Sequence, residues 1–424
     1  MPPTLPNDLD PIEESLLARI AELAPHDDPP AVDAMTTATL FEAQVTSRLL
    51  DHTARWLRQT RGVGYYTIGS AGHEANGAVA LALRPTDPAL LHYRSGGFYA
   101  ARASQIAGQD PVGDVLRGML ALSTDPIAGG RHKVFGRHDL HIVPQTSTIA
   151  SHLPRSVGLA VSLGWGRRPG VEAPWPADSI VVCSLGDASL NHSTAQGALN
   201  WAANTAYRGK RVPLLVVCED NGLGISVPTP DGWVMQSTAS RPALEFVSVD
   251  GSDPEQVLAQ TSSLAASIRE TGRPAILHLR TVRFLGHAGT DVESAYREPA
   301  TIRAELDRDP ILGTAQLVVD AGDCGPADLV SWYLDERESI RSRVDELTVE
   351  SELGSAKEIM EPLAPRRPHL HESIASDLRL DPSEQGQTGE PLTLAQTINH
   401  ALVGVLAARS NALIFGEDVG RKGG

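Results

Sequence analysis

The sequence is poor in cysteine. Only Cys183, Cys218 and Cys324 occur among 424 residues, and the first two fall inside apolar segments. We therefore expect no disulfide framework and a reducing compartment. No cysteine pair has the spacing of a zinc site, so thiolate coordination of zinc is not expected either.

Long apolar runs and positive charge are also scarce. No apolar stretch approaches the roughly 20 residues that a membrane span needs. Acidic residues number 52 against 36 Lys and Arg, a formal net charge of -16, which argues against nonspecific binding to nucleic acid or to a membrane surface. The first 30 residues are acidic and proline-rich and lack the features of a secretory signal. A cytoplasmic location is expected.

Two apolar segments predict buried strands. Ser179 to Leu185 and Val212 to Cys218 are continuous, valine-rich runs, as in strands that are buried on both faces of a parallel sheet. Between them, Ser193 and Gln196 form a capping-box pattern ahead of alanines at helical spacing. The segment is therefore predicted to be a βαβ unit, with polar residues at the carboxyl ends of its strands, where open α/β sheets bind ligands.

Those polar residues include oxygen ligands for a metal ion. Gly186-Asp187-Ala188 follows the first strand, and Asp220-Asn221-Gly222 follows the second. Asp187 offers a carboxylate, Asn221 an amide oxygen and Leu223 a backbone carbonyl, a set that suits Mg²⁺ better than Zn²⁺. The same residues are common in plain turns, so the pattern alone leaves a simple turn open.

Both turns resemble those of a known family, the first component of the 2-oxo acid dehydrogenase complexes, with the branched-chain type most similar. In the α part of that family, a Gly-Asp/Glu-Gly turn and an Asn-Asn-Gly turn hold thiamine diphosphate and Mg²⁺. Here Ala188 stands where glycine is usual, and Asp220 replaces the first asparagine. The turn must then avoid a positive φ at Ala188. The resemblance implies thiamine diphosphate and Mg²⁺ as cofactors, with Gly186, Asp187, Ala188 and Asn221 at the cofactor.

Two further segments resemble cofactor contacts of the family. Tyr93 and Arg94 match a Tyr-Arg pair that contacts the diphosphate, for which a guanidinium fork is well suited. Ile149, within Gln145 to Gly158, matches the apolar residue that wedges under the cofactor. An ordinary core position for Ile149 is an alternative that the sequence leaves open.

The segment Arg283 to Arg297 resembles the family's active-site loop. His287 matches the loop histidine, and the implied catalytic role at the substrate suits an imidazole, which can donate and shuttle a proton near neutral pH. Arg283 matches an arginine that approaches the diphosphate, and Asp291 and Tyr296, with the final arginine, match residues that order the loop.

The resemblance, which returns over Leu392 to Gly424 with the opening of the family's β part, and the composition of the linker together imply four regions. They are an N-terminal extension with a short helix (1–35), an α-type thiamine diphosphate and Mg²⁺ domain (36–361), a linker rich in proline and charge (362–391), and the truncated start of a β-type, pyrimidine-binding domain (392–424). The predicted fold class is α/β, a doubly wound, mostly parallel sheet of the thiamine diphosphate-binding fold, followed by the linker and the start of a second α/β domain.

Local patterns add four predictions. Asp10-Pro11 predicts a helix that runs to about Leu23, and helical spacing predicts another over 327–347. Near the end of the chain, a capping box at Thr393 and Gln396 and a short strand over 412–415 are expected.

The resemblance implies oxidative decarboxylation of a 2-oxo acid and transfer of the acyl group to a lipoyl group on a partner acyltransferase. Branched-chain 2-oxo acids are favoured, with pyruvate next. In the family the cofactor lies between an α part and a β part, so a β-type domain or second chain that completes the site, and a homo- or hetero-oligomer, are implied. The activating glutamate of the β part is not within the 424 residues, so this chain alone is expected to be inactive. A noncatalytic cofactor-binding or scaffolding subunit and a transketolase-like enzyme remain as alternatives.

Overall fold

The computed structural model divides the chain into two compact units, residues 1–165 with 175–353, and residues 166–174 with 354–424. Within the second unit, two helices and a 3-10 turn at Glu361–Leu363 are described. The first unit holds the sheet and the candidate site. The residues described are 5–64, 68–132, 134–164, 174–322, 324–363, 391–410, 412–416 and 419.

A sheet of five strands forms the centre of the first unit, in the spatial order β1-β2-β3-β7-β6, and every neighbouring pair is parallel. A separate antiparallel pair, β4 with β5, follows β3. The strands are β1 (Ala89–Leu90), β2 (Val181–Gly186), β3 (Leu214–Asp220), β4 (Leu223–Gly224), β5 (Val227–Pro228), β6 (Glu245–Asp250) and β7 (Ala275–Arg280).

Helices cover both faces of this sheet. Those of the first unit are α1 (Pro11–Ala21), α2 (Ala34–Arg61), α3 (Asn76–Leu81), α4 (Gly96–Ser104), α5 (Pro111–Met119), α6 (Leu153–Gly164), α7 (Ser193–Tyr207), α8 (Trp233–Thr238), α9 (Pro254–Thr271), α10 (Pro299–Glu305), α11 (Pro310–Ala321) and α12 (Pro326–Leu347). The second unit contributes α13 (Ala356–Met360) and α14 (Leu394–Ala408). No helix among the described residues is long and apolar enough to cross a bilayer.

Successive residues of the inner strands enter different hydrophobic cores. Val182 and Leu215 belong to the core that includes side chains of α2, α9 and α12, whereas Val181 and Leu214 belong to the core formed with α6 and α7. Because both faces of the strands are buried, nearly every position is apolar. This arrangement confirms the predicted doubly wound, parallel α/β sheet.

Several local predictions are confirmed. Asp10 caps α1, and its side chain and that of Glu13 form a capping box. The helix predicted over 327–347 is α12, and the capping box of Thr393 with Gln396 is present at α14. The predicted buried strands correspond to β2 and β3, each displaced by about two residues, a normal uncertainty for element ends.

Two local predictions are wrong. The α7 cap is His192, whose Nδ1 accepts from the Thr194 N–H, while Gln196 donates to the Leu190 carbonyl and so cannot close a capping box with Ser193. The described residues 412–416 form no strand. Most of the predicted linker lies outside the described residues, and the four-region division stays a prediction.

Candidate cofactor and active site

An open cleft lies at the carboxyl ends of β1, β2 and β3. It occupies about 640 Å³, part of which is open to solvent. All the residues that the sequence predicted for the cofactor, the metal and catalysis line it, namely Tyr93, Arg94, Ile149, Gly186, Asp187, Ala188, Asn221, Leu223, Arg283 and His287. The parallel sheet thus brings together side chains that are far apart in the sequence.

The turn after β2 accommodates its alanine. Gly186 has a φ of -80°, and residues Asp187–Asn191 continue as a 3-10 helix, so Ala188 is not among the residues with positive φ. This agrees with the expectation for that turn. A Cβ added at Gly224 would lie only 2.8 Å from the Ala188 Cβ, so the space for the alanine methyl is provided by a glycine on β4.

Asp187 is a buried carboxylate whose hydrogen-bond partner is neutral. Asp187 is 2% exposed, and Thr229 donates its hydroxyl hydrogen to Oδ2. Burial raises the pKa of Asp187 to about 7, and the nearby Asp220 carboxylate contributes to the rise. A carboxylate that is costly to ionise in isolation is well suited to bind a cation.

Asn221 is oriented by a buried relay. Its Nδ2 donates to His73 Nε2 at 2.8 Å, and His73 Nδ1 donates to Glu219 Oε2 at 2.7 Å, which assigns the proton of a neutral imidazole to Nδ1. Burial lowers the pKa of His73 despite the carboxylate. The Asn221 Oδ1 accepts from the Leu223 N–H at 3.1 Å and keeps a second lone pair for a metal ion.

Asp220, which replaces the family's asparagine, is paired with a histidine. His278 Nε2 lies 2.8 Å from Asp220 Oδ2, and Ser248 Oγ lies 3.0 Å from His278 Nδ1. Burial opposes ionisation of Asp220, but the His278 contact and the Gly222 N–H outweigh it and lower the pKa of this carboxyl. The acidic side chain at position 220 therefore has a hydrogen-bond partner in His278, which lies on β7.

A second set of cleft residues, here called the basic wall, carries two buried guanidinium groups. Arg94 is 2% exposed and Arg283 is 1% exposed. Arg94 donates to the Gly69 carbonyl at 2.6 Å and the His287 carbonyl at 2.9 Å. Burial lowers the pKa of Arg94. These hydrogen bonds go to neutral acceptors, which leaves the positive charge of Arg94 largely available to an anion.

Arg283 donates to the Ile225 carbonyl at 2.7 Å and to Tyr296 Oη at 2.6 Å, and Glu293 lies 3.5 Å away. Its Nε is buried without a hydrogen-bond partner. An unsatisfied buried donor beside a second guanidinium fits a site for phosphate oxygens. Tyr93 completes this wall, with its ring 5.3 Å from the Arg94 guanidinium carbon.

His287 is held at the rim of the cleft. Its backbone N–H donates to Asp291 Oδ2 at 2.6 Å, and Tyr296 Oη donates to the same oxygen at 2.5 Å. Arg94 Nη2 lies 3.1 Å from His287 Nδ1, so the neutral imidazole carries its proton on Nε2. Burial, Arg94 and then Arg283 lower the pKa of His287 to about 4. The loop contacts expected for Asp291 and Tyr296 are formed.

Ile149 is 47% exposed on the cleft wall, so it is not a core residue.

Sequence reasoning missed several polar groups of the site. Glu219 could have been noticed, because it directly precedes the predicted ligand turn. The other missed residues carry no spacing signal, and they are His73, His92, Ser147 and Thr229.

Residues 42–353 match the family described as "Dehydrogenase E1 component". The chain belongs to this family. It is 26% identical over 320 residues to 2-oxoisovalerate dehydrogenase subunit alpha of Bacillus subtilis, which covers 74% of this chain and 89% of that one. It is 24% identical over 316 residues to the mitochondrial subunit alpha of Caenorhabditis elegans, covering 73% and 66% of the two chains. For subunit alpha 2 of Arabidopsis thaliana, the identity is 24% over 368 residues, covering 85% and 70%.

Among solved structures, transketolase from Leishmania mexicana aligns with a TM-score of 0.47 and 16% identity, over 87% of this chain and 54% of that one. Membership of the dehydrogenase E1 family implies thiamine diphosphate as the cofactor. The residues present fit such a group, because one wall of the cleft offers oxygen ligands for a cation and the other offers buried guanidinium groups for phosphate.

Proposed function

We propose that this chain is the α-type part of a thiamine diphosphate- and Mg²⁺-dependent 2-oxo acid dehydrogenase. The observation that carries the proposal is the cleft that is lined both by the buried Asp187 carboxylate and by the buried guanidinium groups of Arg94 and Arg283. A diphosphate with its metal ion would supply positive charge to the Asp187 carboxylate and negative charge to the two guanidinium groups. The match to the dehydrogenase E1 family supports the same assignment over a transketolase-like activity.

Specific residues would make each contact with the cofactor. Asp187, Asn221 and Leu223 would hold Mg²⁺ through a carboxylate, an amide and a backbone oxygen. Arg94 and Arg283, with Tyr93, would hold the diphosphate. Ile149 would provide apolar contact beneath the rings, and its exposed side chain on the cleft wall supports this role.

His287 is the proposed catalytic residue. When bound, thiamine diphosphate supplies the electron sink for decarboxylation of a 2-oxo acid. The neutral His287 would donate a hydrogen bond from Nε2–H to the substrate, because its Nδ1 already accepts from Arg94. Asp291 fixes the backbone of this residue, so the imidazole is held in place before substrate arrives.

We infer a branched-chain 2-oxo acid as the substrate, on the strength of relatives that are named 2-oxoisovalerate dehydrogenase subunit alpha. The acyl group would pass to the lipoyl group of a partner acyltransferase. A β-type domain or second chain would complete the site by binding the aminopyrimidine ring, which makes a homo- or hetero-oligomer the active form.

Calorimetric titration of thiamine diphosphate in the presence of Mg²⁺ tests the proposal. The full chain would be titrated alone, together with a complete β-type chain, and as the Asp187→Ala variant with the same β-type chain. We expect saturable binding with the β-type chain and its loss in the variant. Absence of binding in every mixture would contradict the cofactor assignment. Binding without acyl transfer to a lipoylated acceptor would favour a scaffolding subunit instead.

A further inference from the structure

The helix α1 precedes the residues that match the family, which begin at residue 42, yet it is built firmly into the first unit. Its Glu13 carboxylate accepts from Tyr333 Oη of α12 at 3.2 Å. The apolar face is buried to 2% exposure or less at Leu16, Leu17 and Ile20. The helix is therefore a fixed structural element of the first unit. Its neighbour is the active-site loop that carries His287.

That loop begins with two residues in the left-handed region. Leu285 has a φ of +67° and Gly286 a φ of +71°. Glycine adopts this conformation freely, whereas a leucine pays a steric penalty that its surroundings must offset. His287 follows directly, so the direction in which its imidazole leaves the chain depends on how Leu285 is held.

Leu285 is held by a hydrogen bond from α2 and by a small buried cluster that α1 also contacts. Arg55 of α2 donates a side-chain hydrogen bond to its carbonyl oxygen. The side chain of Leu285, together with Ile12 of α1, packs against a small buried cluster that is separate from the two main cores. The buried members of this cluster are Ala71, Val282 and Phe284.

The contacts to α1 and to the loop share one face of α2. His52 Nδ1 lies 2.6 Å from Asp10 Oδ2 at the start of α1, and Arg55 is one helical turn further along the same face. One residue before His52, Asp51 accepts from the Ala71 N–H at 2.7 Å. Positions 51, 52 and 55 of α2 are thus attached to the small cluster, to the start of α1 and to the loop, respectively.

The helix α1 also contacts the downstream end of the same region. Arg19 Nη1 donates to the Leu306 carbonyl at 3.2 Å, and Arg19 Nη2 lies 2.6 Å from Asp307. The helix α1 thus contacts the downstream end of the stretch from Leu285 to Leu306, which carries His287, and shares the small cluster with its upstream end.

We propose that α1 is a positioning element for the active-site loop, in which Ile12 packs with Leu285 against the small buried cluster and so helps to hold the left-handed backbone that presents His287 to the cleft. The importance of that presentation for turnover rests on the proposed function. The structural part does not, because every contact invoked lies within the chain itself.

Hydrogen exchange of the full chain, measured by mass spectrometry without cofactor, tests the inference. The variant Ile12→Ala is compared with Leu17→Ala, whose residue is 1% exposed and belongs to the main core rather than to the small cluster. We expect Ile12→Ala to accelerate exchange over residues 284–291 about tenfold. Leu17→Ala should lower the unfolding temperature at least as much and leave these amides unchanged.

Equal acceleration in both variants, or none in Ile12→Ala, would overturn the inference, because the loop would then depend on global stability or not depend on α1. The conservative Ile12→Val should restore slow exchange. In an active assembly with a β-type chain, Ile12→Ala should lower kcat and leave KM unchanged. If the unaltered chain bound no cofactor, the proposed function would fail while the exchange result would stand on its own.

Discussion

The two walls of the cleft differ in the way their charges are treated. On one side, Asp187 is buried with a neutral hydroxyl as its partner, and its pKa is raised. On the other side, Arg94 is buried with neutral carbonyls as its acceptors, and its pKa is lowered. Burial therefore disfavours the charged forms of both Asp187 and Arg94. Asp187 and Arg94 thus line one small cleft without an opposite charge in hydrogen-bond contact, which indicates a ligand that carries both signs.

This difference contrasts with the structural ion pairs of the same unit. Arg48, fully buried, binds Glu74 at 2.6 Å and Asp309 at 2.8 Å. These opposite charges raise the pKa of Arg48 although burial opposes the rise. At Arg48, a buried charge of the fold, the chain thus supplies the counter-charge directly. Where the counter-charge is missing, as at Asp187, the residue is a candidate for ligand binding.

The largest expected effect comes from removing the acidic wall. Asp187→Asn keeps the shape of the side chain and removes the charge, and it should weaken Mg²⁺-dependent binding of thiamine diphosphate about 100-fold or more, since losing one partner of a buried charge pair costs about 3 kcal/mol. Calorimetry with the β-type chain measures this loss. Because burial raises the pKa of Asp187 to about 7, the variant should not unfold at a lower temperature at pH 8 without cofactor. An unchanged affinity would mean that Asp187 does not bind the metal ion.

A smaller effect is expected on the basic wall. Arg94→Gln should weaken binding of thiamine diphosphate about 10-fold, because hydrogen bonds to charged groups contribute about 1.5 kcal/mol or more and Arg283 remains. The matched control is Arg84→Gln, an exposed arginine that pairs with Asp178. Titration of both variants under identical conditions should separate them. Equal affinities would show that the basic wall does not bind the diphosphate.

The smallest expected change concerns the protonation of His287. Its folded pKa of about 4 lies below the ordinary value, so the neutral form contributes stability above about pH 6.5 that is lost as the pH falls towards 4. Inorganic pyrophosphate on the basic wall should raise this pKa by about one unit or more, because its charge opposes that of Arg94 and Arg283.

Carbon-13 resonances of labelled histidine report this titration, and His287→Gln identifies the signal. A midpoint that stays the same with and without pyrophosphate would mean that the anion binds away from the loop. A midpoint near 6.5 in the free chain would mean that the two arginines do not act on this imidazole.

The sheet and the ligand turns could be predicted from sequence because they depend on local patterns. Continuous apolar runs identify β2 and β3, and the ends of parallel strands place Asp187 and Asn221 at one edge. The support of these residues was not predictable. His73 orients Asn221 from 148 positions away, and His278 compensates Asp220 from 58 positions away. Neither pairing leaves a periodic trace in the sequence.

The capping of α7 shows the same limit at short range. Ser193 and Gln196 match the capping pattern, but the 3-10 helix that begins at Asp187 places His192 at the cap and turns Gln196 back towards Leu190. The geometry of the ligand turn thus overrode the local signal. A sequence pattern beside a functional turn is the least reliable guide to structure.

The contact between Ala188 and Gly224 constrains how this cleft can change in evolution. A methyl group at one position excludes a methyl group at the other, since the two carbons would be 2.8 Å apart. A lineage can therefore acquire alanine in the ligand turn only if glycine is already present on β4. Replacing Ala188 with glycine removes the conflict, whereas Gly224→Ala meets the Ala188 methyl group until that replacement has been made. The two positions form an ordered, epistatic pair.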